Sequence, residues 1–144
     1  MIQDIIEDIV GEMDANGDSF SFLDAERDFQ NVEADEDIFP AVYMDPPRYL
    51  PKTVAGGGIQ MTWNCLLLFV YKSELDNSAS QRRARMEKCL NAQRQFQIKL
   101  DNSDAIKSFT VGECYPALNL FDANVDAVIM PCSIVPSEYP SVCP

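Results

Sequence analysis

Ile59-Gln-Met-Thr-Trp-Asn-Cys-Leu-Leu-Leu-Phe-Val-Tyr-Lys72 is the segment around which the chain is organised. Ile59, Met61, Trp63 and Cys65 alternate with Gln60, Thr62 and Asn64, the period-2 pattern of a half-buried strand. After Cys65 the pattern changes. Leu67, Phe69 and Tyr71 continue one face, while Leu66, Leu68 and Val70 make the other face apolar too. A strand that is apolar on both sides needs cover on both sides. Two helices in a chain of 144 residues suffice for one face of a small sheet. The second cover is therefore expected from another subunit, with Leu66, Leu68 and Val70 as candidate interface residues.

Working outward, Ile2, Ile5, Ile6, Ile9 and Met13 form one stripe of an N-terminal helix, and Asp4, Glu7, Asp8 and Glu12 take its other side. Asp14-Ala-Asn-Gly-Asp18 ends that helix by turn chemistry. Asp14, Asn16 and Asp18 imitate the start of a calcium loop. The sixth position is Ser19 where glycine is required, and the twelfth is Ala25 where a glutamate is required, so a plain turn is the reading. Phe20 and Phe22 alternate with serines like a strand. Residues 24–37 form an acidic stretch expected to be an exposed loop, and Phe39–Met44 a short strand. Residues 45–58, with three consecutive glycines, read as a loop.

Downstream, Ser78 or Ser80 is placed to cap a second, longer helix over Gln81–Leu100. Met86, Cys89, Leu90, Phe96 and Leu100 lie on one face, with Arg82, Arg83, Arg85, Lys88 and Arg94 on the rest. Phe109–Phe121 and Val125–Pro136 read as two long strands joined by Asp122-Ala-Asn124, with Pro116 and Pro131 marking edges or bulges. The expected class is α+β: a mostly antiparallel sheet of about four strands with two helices packed on one face. Residues 1–136 make one domain, and 137–144 an extended C-terminal arm spaced by Pro136, Pro140 and Pro144.

Composition narrows the function classes. The net charge is −12, and residues 1–47 hold fourteen acids and one base, whereas Arg82–Lys107 holds seven of the eleven lysines and arginines. Such a balance does not suit general nucleic-acid binding, which needs basic charge to displace counterions. There is no histidine, which removes the commonest general base and the usual partner of a nucleophilic serine or cysteine. Catalysis is not expected, and neither a metal nor another cofactor is. The five cysteines (65, 89, 114, 132, 143) show no C-x-x-C and are odd in number, so a reducing compartment is expected. The acidic start does not read as a signal peptide, and no apolar run reaches membrane-span length.

The element order, the Phe39-Pro-Ala-Val-Tyr-Met-Asp-Pro-Pro47 strand and loop, and the closing Val111–Val135 hairpin resemble the tail-terminator or tail-completion proteins of tailed bacteriophages, and proteins of crAss-like gut phages. The resemblance implies a non-enzymatic virion protein, assembled in the host cytoplasm into a homo-oligomeric ring, six- or twelve-fold, at the head–tail junction or tail end. Its partners would be adjoining portal, neck or tail rings, with DNA passing the lumen without specific binding and no membrane involved. Acids of the first 47 residues would then face the channel, and Arg82, Arg83 and Arg85 would face protein. Tyr139 and Pro140, on the C-terminal arm, would reach a neighbouring subunit. From another class, an acidic adaptor or inhibitor domain would bind a basic partner through residues 1–47. A calcium-dependent module is a third reading.

Overall fold

The computed structural model describes residues 1–25, 38–73, 78–118 and 125–137. Its spine is a pair of long antiparallel strands, β4 (Ile59–Lys72) and β7 (Val125–Pro136), in register from Trp63 opposite Ile134 to Lys72 opposite Val125. Flanking β4 on one side are β2 (Ala41–Met44), which follows a cis Phe39–Pro40 bond, and β3 (Arg48–Thr53). Beyond β2 lies β1 (Ser21–Asp24), and the other side of β7 carries β5 (Ile106–Val111) and β6 (Tyr115–Ala117). Among the described residues the sheet thus has seven strands, not about four, and it is mixed because β1 runs parallel to β2. The α+β class holds.

Two proline positions explain how the strands divide. Asp45 donates its N–H to the carbonyl of Leu66 (3.1 Å), so the polar backbone groups of Leu66 point towards β2. Leu66 pairs with Pro131, and that pair therefore exchanges no hydrogen bonds. The imide nitrogen of Pro131 faces the opposite side, where it can donate nothing to the next strand. There the chain detours: β5 pairs up to Cys132 and β6 resumes at Ile129. Gly112, within the detour, donates to the Pro131 carbonyl at 2.8 Å, and a Cβ there would sit only 3.4 Å from that oxygen. The expected single strand over 109–121 is accordingly two short ones up to Ala117, and residues 119–121 lie outside the described residues.

Both helices pack on one face of the sheet. In α1 (Ile2–Gly11), Ile2, Ile6, Ile9 and Val10 are buried, and they meet Ala92, Phe96 and Leu100 of α2 (Ala79–Asp101) over Leu67, Phe69, Met130 and Ile134. Ser78 caps α2 reciprocally with Gln81, accepting from its N–H at 3.3 Å and donating its own at 3.0 Å. The Asp14–Asp18 turn ties this layer together. Gln95 accepts from the N–H groups of Asp14 and Ala15 (3.0 and 2.8 Å) and donates to the Asp14 carboxylate. Asn16, at φ 58°, donates to the Tyr71 hydroxyl (2.9 Å), which donates in turn to Asp18 (2.8 Å). The carboxylates that imitate a calcium loop are thus engaged with protein donors.

The other face corrects the reasoning about cover. Leu68 and Val70 are 5% and 0% exposed in the single chain, among Leu23, Tyr43, Val125, Ala127 and Ile129, and only Leu66 stays half-buried. Ala25, Ile38 and Phe39, the two ends of the β1–β2 connection, pack on this cluster. Parallel neighbours require a crossover connection rather than a tight turn, and the ends of this one lie on the apolar face. The acidic stretch thus begins and ends as cover, although residues 26–37 themselves lie outside the described residues. Leu68 and Val70 need no second subunit.

Candidate functional site

The largest departure from a closed domain is at the other end of β4. Residues 48–53 form β3, which pairs with residues 59–64 of β4 over about 20 Å and continues as a two-stranded ribbon beyond Trp63, where pairing with β7 ends. Every residue of β3 is exposed. The ribbon turns through Val54–Gly58, where Gly56 and Gly57 adopt φ values of 97° and 87°. Those angles lie in the left-handed region that glycine occupies without steric cost. Val54 donates to the Gly58 carbonyl at 3.0 Å, which fixes the parity of the ladder. Leu50 and Lys52 then bond inwards to β4, while the backbone groups of Tyr49, Pro51 and Thr53 point to the open edge.

That parity gives the ribbon its chemistry. Tyr49 and Trp63 form a non-hydrogen-bonded cross-strand pair, in which side chains approach most closely. Their ring centroids are 5.0 Å apart. With Pro51, Met61 and Ile59 they make an apolar face, and Ile59 and Tyr49 are 67% and 55% exposed. Arg48, Leu50 and Lys52 take the other face beside Asn64, Thr62 and Gln60. Pro51 removes an N–H from the open edge, and the cations flank it; both features discourage strand-to-strand pairing there. The ribbon is built to make contacts through its faces. Sequence from Pro46 to Ser73 contains no acid, so the ribbon is a cationic projection from a chain of charge −12.

A second feature lies at the same end of the sheet. An open groove of about 660 Å³ separates α1 from the end of α2 and the start of β5. Ile5 and Ile9 line it together with Asp4, Asp8, Glu12 and Asp104, against one lysine, Lys99. Asp4 is paired with the terminal amine of Met1 at 2.9 Å. Lys107 reaches Gln60 of the ribbon at 3.5 Å, so groove and ribbon are neighbouring surfaces of one molecule.

The residues expected at a subunit interface are scattered. Leu68 and Val70 are in the core. Arg85 faces inwards: its Nε donates to Asp126 Oδ2 at 2.8 Å, with the two side chains 12% and 4% exposed. A carboxylate on the helix-facing side of β7 needs a cation from the helix above it, and Arg85 is in reach. Arg82 and Arg83 are exposed on the first turns of α2, near the Lys72 end of β4 and away from the ribbon. Tyr139 and Pro140 lie outside the described residues. Sequence reading missed Arg48, Tyr49, Leu50 and Lys52, because Pro51 and the glycines suggested a loop. The signal was present as alternation of Arg48, Leu50 and Lys52 with Tyr49, Pro51 and Thr53.

Among the described residues Cys65, Cys89 and Cys132 are buried and Cys114 is half-buried. Cys65 and Cys132 face each other across β4 and β7, 5% and 6% exposed. A hydrogen bond between the thiols holds Cys65 below its usual pKa and Cys132 above. Burial, with the Asp126 carboxylate adding to it, pushes the Cys89 thiol up to about 12. Among the described residues no group of three or more cysteines and carboxylates is placed to hold a metal ion, and no helix is long and apolar enough to cross a membrane. The chain matches no protein-family model, and no curated protein shows significant similarity to it.

Proposed function

We propose that the chain is a structural subunit of a tailed-phage particle, forming a ring at the head–tail junction or tail end, without catalysis. The observation that carries this reading is the ribbon. A domain that covers both faces of its central strand nevertheless projects Tyr49, Leu50 and Ile59 into solvent, 55–67% exposed. Tyr49, Pro51, Met61 and Ile59 make one contiguous apolar face, with Leu50 on the other face between Arg48 and Lys52, and such exposed apolar surface beside polar groups is the mark of a protein contact. Two helices on one sheet face agree with the architecture that the resemblance to tail-terminator proteins implies, and the acidic balance suits a conduit through which DNA slides. The groove beside α1, lined by carboxylates, favours a second reading: an acidic adaptor that receives a basic protein. Native mass measurement at micromolar concentration separates the two. A closed assembly of one size supports the ring subunit, and a chain that stays single refutes it in favour of the adaptor.

A further inference from the structure

We infer that the β3–β4 ribbon of one copy seats in the groove between α1 and α2 of the next copy. The inference rests on the ring reading and names the contact by which subunits join. Charge complementarity is the argument for a second copy as occupant. The ribbon presents Arg48 and Lys52 on a segment without acids, and the groove presents Asp8, Glu12 and Asp104 against Lys99. Apolar groups match as well: Ile5 and Ile9 line the groove, Met1 at its mouth is 76% exposed, and the cationic face of the ribbon offers Leu50, 63% exposed. The ribbon does not occupy the groove of its own chain, since all of β3 is exposed. Its open edge is blunted by Pro51, so pairing edge to edge with another ribbon is the poorer alternative. Ribbon and groove are different surfaces, and a contact between them is heterologous. Each added copy then leaves one ribbon and one groove unused until the assembly closes on itself.

Two charge-reversed variants test this. Arg48→Glu/Lys52→Glu makes the ribbon acidic and leaves the groove acidic, while Asp8→Lys/Glu12→Lys makes the groove basic and leaves the ribbon basic. Each alone should lose self-association, on the order of 10- to 100-fold in concentration. Mixed in equal amounts, they should assemble again, alternating, because each ribbon now meets a groove of opposite charge. All four positions are exposed, and circular dichroism should show both variants folded. The neutral pair Arg48→Gln/Lys52→Gln and Asp8→Asn/Glu12→Gln provides a second set, expected to weaken assembly without abolishing it. If either reversed variant assembles like the parent, or if the mixture stays dissociated, the contact is wrong while the ring reading stands. A parent that stops at two copies, with the same rescue on mixing, keeps the contact and removes the ring. A parent that never associates removes both. Retention on duplex DNA that disappears in Arg48→Glu/Lys52→Glu, with mass unchanged, would assign the ribbon to DNA and overturn the proposal.

Discussion

Replacing Arg85 by methionine leaves Asp126 in a position that is 2% exposed, on a strand paired on both sides. At 2.8 Å and an effective dielectric of about 20, the attraction between the two charges is roughly 6 kcal/mol, much of it offset by desolvation of both groups. The net cost of removing Arg85 is therefore set by a buried carboxylate that loses its guanidinium, about 3–5 kcal/mol. For a domain of this size that lowers the melting temperature by roughly 10–20 °C. Thermal and urea unfolding followed by circular dichroism should show this loss for Arg85→Met, whereas Arg85→Met/Asp126→Leu should recover most of it. A single variant within about 1 kcal/mol of the parent would show that this ion pair does not hold the fold. So would a double variant no better than the single one. If Arg85→Met kept its stability and lost self-association, Arg85 would belong to a subunit contact after all.

Leu68→Asp should unfold the chain, not merely prevent assembly, because Leu68 is 5% exposed in the single chain; loss of cooperative unfolding at any protein concentration is the readout, and a folded variant would show that face to be open. Tyr71→Phe removes the acceptor for Asn16 and the donor to Asp18, and should cost about 1–3 kcal/mol in urea unfolding. The Cys89 thiol keeps its proton in the folded chain up to about pH 12, whereas the unfolded thiol loses it near its ordinary value of 9.0. Folded protein binds the extra proton between those values, so stability should fall as pH rises from 9 to 12, and Cys89→Ala should flatten that slope.

Much of the fold was legible where local chemistry and burial agree. The alternation of Ile59–Lys72 marks a strand observed with those same bounds, and the second helix begins after Ser78, one of the two expected caps. The stripe of Ile2, Ile6 and Ile9 lies where its period puts it, on the core. What escaped depends on partners distant in sequence. Residues 48–53 carry only a short alternation interrupted by Pro51, and they are ordered by pairing with 59–64, a partner that the segment itself does not name. Doubly apolar β4 was rightly read as needing two covers. The source of the second was not legible, because parallel pairing of Ser21–Asp24 with Ala41–Met44 is what brings Ala25, Ile38 and Phe39 over that face. Arg85 shows the same limit: a helix sequence reports that an arginine lies off the apolar stripe, but not that a carboxylate at 126 waits beneath it.

The antiparallel spine has a consequence for how the protein is made. Val125, the first residue of β7, follows Lys72, the last of β4, by 53 residues. At translation speeds of about 5–20 residues per second, that interval lasts roughly 3–10 s. Throughout it Leu67, Leu68, Phe69 and Val70 have no β7 to pair with, and α2 can shelter one side at most. The nascent chain thus carries a sticky, edge-exposed strand out of the ribosome before its mate exists. Slower growth at low temperature or a holdase chaperone should raise soluble yield, and truncation before β7 should yield aggregate, however well the helices form.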